Sequence, residues 1–474
     1  MKMQEFYNLI PFILISTTIL VSLIVEMYTK NSKRIIAWIS VFVFLAAGFH
    51  ALANIDKTQL FFNNMLLVGG NINIFIFLFN IAAALVVLMA MDYSSKYGND
   101  IGEFYILLQS SVLGMMLMAG AKDLFVIFLG LELMSISFYA LAGLNRKRLK
   151  ANEASLKYFL LGAFATGFIV YGIALIFGSA NTTSIPQIVD KFGELKNSLL
   201  FMTGILLFLI GFSFKMAAFP FHMWAPDVYE GSATTVAGFF STAGKTAAFS
   251  AVIITLGSVF MHGSTNIFAP YLIVLAVTSM LYGSIVAIPQ NNIKRMLAYS
   301  SIAHAGYLII GLASGNFEGI AGIIFYLSAY TFMNLGAFGV VALIEGKDET
   351  NLTFESYTGL SKSQPFLAAM LAICMFSLAG IPPFAGFFGK YYIFIAAIKS
   401  DLTWLAIVGV ISSMISVYFY LKVVVIMYFK ETEVDLTVQK RNYGLLAVVI
   451  SVLMVIIIGI APGTLIDLIS SFLK

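Results

Sequence analysis

Runs of about 20 mostly apolar residues follow one another along the whole chain, and that is the length a helix needs to cross the hydrocarbon of a bilayer. About fourteen such segments can be counted. They lie near 6–28, 35–53, 71–91, 102–121, 123–144, 155–180, 198–226, 233–261, 267–288, 294–313, 318–344, 365–398, 401–429 and 443–472. Hydrophobic residues make up 60% of the 474 and charged residues 11%, where an ordinary soluble domain carries about 25% charged. The expected fold is an all-α polytopic membrane protein forming a single membrane domain over 1–474.

The same sequence excludes several function classes. The net charge of +4 is spread along the chain, so there is no clustered Lys/Arg footprint for nucleic acid. The single cysteine, Cys374, lies in an apolar run, so no disulfide, cysteine-ligated zinc or iron–sulfur set is available. No cofactor or metal is therefore expected on this chain. The longest polar connections, Asn181–Asn197, Glu345–Gln364 and Glu431–Arg441, are too short to fold alone. The first segment is too long for a signal-peptide core and has no small-residue cleavage site after Glu26, which makes it an expected membrane anchor. Loops after odd-numbered segments carry about fifteen Lys and Arg, among them Lys30, Lys33, Arg34, Arg146, Lys147, Lys294, Lys347, Lys440 and Arg441. The other side carries about seven, including Lys2 and Lys474. Positive charge stays on the cytoplasmic side, so both termini are expected outside.

Two segments contain helix-breaking proline. One is Phe219-Pro220-Phe221 and the other Pro382-Pro383-Phe384. The breaks stand five segments apart, and an odd number of spans per copy reverses orientation, the inverted-repeat plan of many transporters. Three amino-terminal helices (1–101), two inverted five-helix repeats (102–261 and 267–429), each with a broken helix, and a carboxy-terminal helix (443–472) are the expected divisions.

Ionisable side chains at membrane depth are costly, about 2.5–3.5 kcal/mol for a central lysine on insertion scales, and they mark ion paths. Lys215 stands five residues before Pro220, Lys245 lies mid-helix, Lys390 follows the second break, and Glu132 lies about ten residues into its segment. A buried lysine can release a proton because desolvation disfavours its charge, and a nearby carboxylate restores it. Glu132 near Lys215 would make such a coupled pair. The bland readings are that Lys215 neutralises carbonyls freed at its break, that Lys390 snorkels, and that Glu132 is simply protonated. His304 lies roughly 15 Å along its helix from Lys294 and is either a relay or a satisfied core histidine. Lys157, near the start of its helix, is a secondary candidate that either relays or snorkels; His222 and Asp227 read as solvated or capping groups.

Three runs carry a family resemblance: Leu131–Leu141, Phe214–Gly231 with its Lys-Met-Ala-Ala-Phe-Pro-Phe-His core, and Asn292–Tyr307. They resemble the subunit N family of proton-pumping NADH:quinone oxidoreductase, respiratory complex I, over essentially the whole chain. Leu-Glu-Leu at 131–133 separates it from related antiporter-like subunits, which more often carry tryptophan before the glutamate. The resemblance implies Glu132 and Lys215 as a modulating pair, Lys245 as central relay, Lys390 as outward terminal group and His304 as the link between half-channels. It also implies a bacterial inner-membrane location and NADH, FMN, iron–sulfur clusters and quinone held by partner subunits. The partners it implies are the other membrane subunits of complex I, neighbouring antiporter-like subunits among them. The runner-up is a subunit of a multisubunit cation/proton antiporter, and a third reading is a purely structural scaffold.

Overall fold

The computed structural model describes residues 7–97, 101–257, 267–346, 350–431 and 442–473. Met1–Phe6 and Lys474 at the termini, Lys347, Lys440 and Arg441 of the orientation count, and residues 258–261 at the end of the first expected repeat lie outside the described residues.

The described helices that set the architecture are α1 (Ile10–Tyr28), α2 (Ser32–Ala53), α3 (Asn71–Tyr97), α4 (Gly102–Gly120), α5 (Leu124–Ala142), α6 (Leu149–Ala180), α7 (Leu199–Lys215) and the short α8 (Trp224–Gly231). They continue with α9 (Thr234–Gly257), α10 (Ala269–Ala287), α11 (Ile293–Ser314), α12 (Phe317–Ile344), α13 (Pro365–Ala379), α14 (Ala385–Lys399), α15 (Thr403–Phe429), α16 (Asn442–Ile460) and α17 (Pro462–Leu473). Thirteen of them are long and apolar enough to cross a membrane. The segment expected at 365–398, with its break at Pro382 and Pro383, consists of two 15-residue helices, α13 and α14. The segment expected at 443–472 also divides, at Pro462, because proline cannot supply the N–H that would continue α16 but fits the first turn of α17. A small antiparallel hairpin between α2 and α3, β1 (Gln59–Phe61) and β2 (Leu66–Val68), was not anticipated. Its turn uses Phe62, Asn63 and Asn64 at positive φ, a conformation that asparagine tolerates better than most residues.

α11 and α12 sit at the centre, fully enclosed by the other helices, while α1 and α6 leave most of their surface outward. Outward-facing Leu20, Ile24, Phe164 and Phe177 are what a lipid-facing wall requires. Two helix pairs repeat in their packing: α4 lies along α5 as α10 lies along α11. A β-carbon on Gly114 would meet the Gly130 carbonyl and the Met134 nitrogen, and one on Gly283 would meet the Tyr299 carbonyl and the Ala303 nitrogen. Only glycine permits backbones to approach that closely. The polar caps repeat as well. Asp123 accepts from the Phe125 nitrogen at 2.8 Å and starts α5, and Asn292 accepts from the Lys294 nitrogen at 2.9 Å and starts α11. Each capping residue also forms an isolated antiparallel bridge, Asp123 to Ser184 and Asn292 to Thr353.

Candidate functional site

α7 ends at Lys215 because its backbone turns there. Ala217 takes a left-handed φ of 58°, and the Ala218 nitrogen closes back on the Ser213 carbonyl at 2.9 Å. The freed Phe214 carbonyl accepts from the Trp224 indole at 2.9 Å, so the exposed backbone of the turn is satisfied without Lys215. The lysine is buried and reaches across to α5. Its Nζ donates to Ser135 Oγ at 2.8 Å and to Tyr139 OH at 3.2 Å. Glu132 lies one turn before Ser135 on α5 and within electrostatic reach of Lys215, but its Oε1 accepts from Thr166 Oγ1 of α6 at 2.9 Å. Glu132 and Lys215 do not form a direct ion pair. Each is held by hydroxyls of its own, Glu132 by Thr166 and Lys215 by Ser135 and Tyr139.

The second break has a different construction. Gly380 ends α13 at a φ of +84°, a conformation that favours glycine, and a β-carbon there would also lie a tight 3.1 Å from the Lys390 side chain. Lys390, one turn into α14, folds back over the end of α13. Its Nζ donates to the Leu378 carbonyl at 3.2 Å, the Ala379 carbonyl at 2.9 Å and Ser413 Oγ at 2.8 Å. The carbonyl-neutralising role weighed for Lys215 is thus occupied by Lys390.

Lys245 is buried in α9, directly after a widened turn at Phe240–Gly244 with i to i+5 bonding. Such turns inside α-helices are frequent at functional sites. Its Nζ donates to the Ser301 carbonyl of α11 and lies 5.9 Å from the Tyr330 ring centre. His304, one turn further along α11, is also buried and lies 5.1 Å from the same ring, centre to centre. Its two ring nitrogens contact the hydroxyls of Tyr326 on α12 (2.5 Å) and Tyr420 on α15 (2.9 Å). Tyr307 continues the line, 5.7 Å from His304 and 5.0 Å from the Lys390 ammonium. Lys245, His304 and Lys390 therefore belong to one continuous polar and aromatic interior.

Lys157 is apart from that interior. Half-exposed, it pairs with Glu153 and Asp227 at 2.7 Å each, and Asp227 and Glu230 are shared with Arg295 at 2.8 and 3.0 Å. Partial burial alone would raise the Asp227 carboxyl, but the hydrogen bonds and charges of Lys157 and Arg295 outweigh it and hold the group below its ordinary range. His222 is buried against Phe219 and Tyr282. The residues that sequence reasoning missed are the hydroxyl partners, Ser135, Tyr139, Tyr326, Tyr330 and Tyr420. Nothing in their local sequence marks them, since tyrosine and serine occur throughout the apolar segments; only Tyr139 and Ser135, at i+7 and i+3 from Glu132, carried a helical-face signal.

Comparison with known proteins fits this geometry. Residues 121–416 match the family described as "NADH:quinone oxidoreductase/Mrp antiporter, TM". The chain is 44% identical over 464 residues to NADH-quinone oxidoreductase subunit N of Trichlorobacter lovleyi, covering 97% of this chain and 95% of that one. Among solved structures it is similar to a chain of respiratory complex I from Thermus thermophilus with bound aureothin, at 29% identity and a TM-score of 0.81, covering 96% and 98% of the two chains. A chain of the Mrp complex from Dietzia sp. shares the fold at a TM-score of 0.87 and 18% identity, covering 100% and 97%. The chain belongs to the subunit N family of NADH-quinone oxidoreductase.

Proposed function

We propose that this membrane subunit of NADH:quinone oxidoreductase moves a proton through its buried side chains, Lys215 to Lys245 to His304 to Lys390, while partner subunits carry the redox chemistry. The observation that carries the reading is the line of buried groups Lys245, Tyr330, His304, Tyr307 and Lys390, in which neighbouring ring centres and ammonium groups lie 5.9, 5.1, 5.7 and 5.0 Å apart. Hydroxyls both donate and accept, and His304 contacts those of Tyr326 and Tyr420, so its imidazole can take up and release a proton without moving. Glu132 acts on Lys215 through space and through Ser135 and Tyr139: its charge favours a protonated lysine, and its loss favours release toward Lys245. Lys157 holds Asp227 rather than relaying.

The two-repeat plan is part of the same proposal. Its support is a constant spacing of 169 residues (114 to 283, 123 to 292, 184 to 353) linking close glycine contacts, capping residues and bridges. The repeats span 102–261 and 267–429, with helices 1–101 before and 443–472 after, and the reversed orientation follows from five spans per copy. NADH, FMN, iron–sulfur clusters and quinone belong to partner subunits of the complex. The neighbours in the membrane are its other antiporter-like subunits, and both termini face outward from a bacterial inner membrane.

The test is Lys245→Arg in the intact complex reconstituted into proteoliposomes, with NADH-driven acidification and quinone reduction measured together. Arginine stays charged to about pH 12 or above, so pumping is expected to fall to background in complexes of normal subunit content. Normal pumping would overturn the relay. Pumping that requires sodium or potassium ions would favour the cation-antiporter reading instead.

A further inference from the structure

Away from the buried lysines, the described residues form a recess of about 830 Å³ between α2, α3 and the starts of α4 and α16. Lys33 and Arg34, in the first turn of α2, stand at its mouth. One and two turns deeper come Trp38 and the outward-facing Phe42, and Met91 of α3 forms the apolar floor. Tyr443 meets Trp38 edge-on at 5.5 Å. The order along the membrane normal is therefore cationic, then amphipathic aromatic, then apolar, over roughly 12–15 Å of helix.

That order matches one ligand chemistry. Trp and Tyr occupy the headgroup level of a bilayer, and basic pockets between membrane helices at that level bind anionic headgroups. A helix of a neighbouring subunit fits poorly. With a diameter of about 10–12 Å and a pitch near 5.4 Å, one helical turn fills roughly 500 Å³, so the recess holds less than two turns of a span that needs more than five. Flexible acyl chains fill such a space, and its volume lies in the upper part of the usual 300–1,000 Å³ range for small-molecule sites.

We propose that this recess is a binding site for one anionic phospholipid, its phosphate held by Lys33 and Arg34 and its upper acyl chains lying against Trp38, Phe42 and Met91. The site is independent of the proton relay, from which none of its residues is drawn. The phosphate stays at headgroup depth, and the acyl chains follow the α2–α16 groove into the hydrocarbon.

The test uses the intact complex in vesicles containing a trace of photoactivatable phosphatidylglycerol or, separately, photoactivatable phosphatidylcholine, with adducts mapped on this subunit by peptide mass spectrometry. Labelling of α2 by the phosphatidylglycerol probe is expected, and Lys33→Gln with Arg34→Gln should reduce it roughly tenfold to thirtyfold, since each basic residue near the surface contributes about 1 kcal/mol, a factor of about five, and the two factors multiply. NADH-driven pumping by that variant should be unchanged. Equal labelling by both probes, or labelling insensitive to the two substitutions, would overturn the proposal. A photoreactive amino acid replacing Phe42 supplies a second readout: an anionic lipid adduct supports the site, and a cross-link to a neighbouring subunit overturns it.

Discussion

Lys215 and Lys390 both stand beside a proline break, yet they are held in opposite ways. Lys390 donates to three acceptors, two of them main-chain carbonyls at the end of α13. That fills the donor capacity of an ammonium and joins the lysine to the structural integrity of the break. Lys215 donates to two side-chain hydroxyls on a different helix, and the backbone at its own break is satisfied by Trp224. One lysine closes a helix end; the other is free to exchange partners. The matched positions on α5 and α11 diverge in the same sense. Across the constant spacing, Glu132 and Ser135 correspond to Ser301 and His304, so similar backbone geometry carries a carboxylate in the first helix and an imidazole in the second.

The strongest test of that asymmetry is Glu132→Gln, which keeps the shape and the Thr166 contact but removes the charge. Proton pumping should fall roughly tenfold or more, because the carboxylate charge that favours a protonated Lys215 is lost. Ser301→Ala, at the matched position, should leave pumping near normal, since Lys245 uses the main-chain carbonyl there. Equal losses in the two variants, read as acidification per NADH oxidised, would erase the distinction.

Next in size is the stability contrast between Lys390→Met and Lys215→Met. The first strands the buried Leu378 carbonyl, at about 1–3 kcal/mol for an unsatisfied group, and leaves the Ala379 carbonyl only the 3.4 Å contact from Ser413 Oγ. The second leaves Ser135 already donating to the Leu131 carbonyl at 2.6 Å. Thermal unfolding of the purified complex should shift down clearly for Lys390→Met and little for Lys215→Met, although both should lose pumping.

Smaller effects are expected from the hydroxyl partners. Tyr420→Phe removes a contact of His304 and one of Ser300, and should slow pumping roughly two- to tenfold, in line with a hydrogen bond of about 0.5–1.5 kcal/mol. Tyr139→Phe should cost less, since Lys215 keeps Ser135. Pumping rates at saturating NADH and quinone measure both.

The smallest effect belongs to Lys157. Asp227 has a lowered value in the folded protein, so its ion pairs stabilise the fold above the ordinary carboxylate range, and that contribution disappears as pH falls through the lowered value. Lys157→Met should move the acid limb of a stability profile toward higher pH by a fraction of a unit, with a loss of no more than about 1 kcal/mol at neutral pH for so exposed a pair. Pumping near neutral pH should hold.

The helices and the charged members of the site were legible in the chain because each rests on a local cost. An apolar run of about 20 residues has few ways to satisfy its backbone in lipid except as a helix, and a lysine or glutamate inside it stands out against its neighbours. Pro220 and Pro383 marked the two interruptions for the same local reason, while the helix ends themselves lie earlier, at the left-handed Ala217 and Gly380. Pro462 carried that signal too, and it divides a segment whose apolar composition continues on both sides. The hairpin at Gln59–Val68 was weaker, since its Asn63-Asn64 turn sits inside an otherwise apolar connection.

What the sequence by itself determined was therefore the class of fold, the approximate spans and the short inventory of residues able to carry charge through them. Only the tertiary structure decided which of those residues meet. Hydrogen bonds reach about 3 Å, while the partners of Lys215, Lys245, His304 and Lys390 come from helices as far as 116 residues away in sequence. Tyr326, Tyr330 and Tyr420 carry no local mark because their contacts are made by how α11, α12 and α15 pack, and close packing of this kind depends on small surfaces such as Gly114 against α5 and Gly283 against α11 rather than on any feature of the residues that end up in contact.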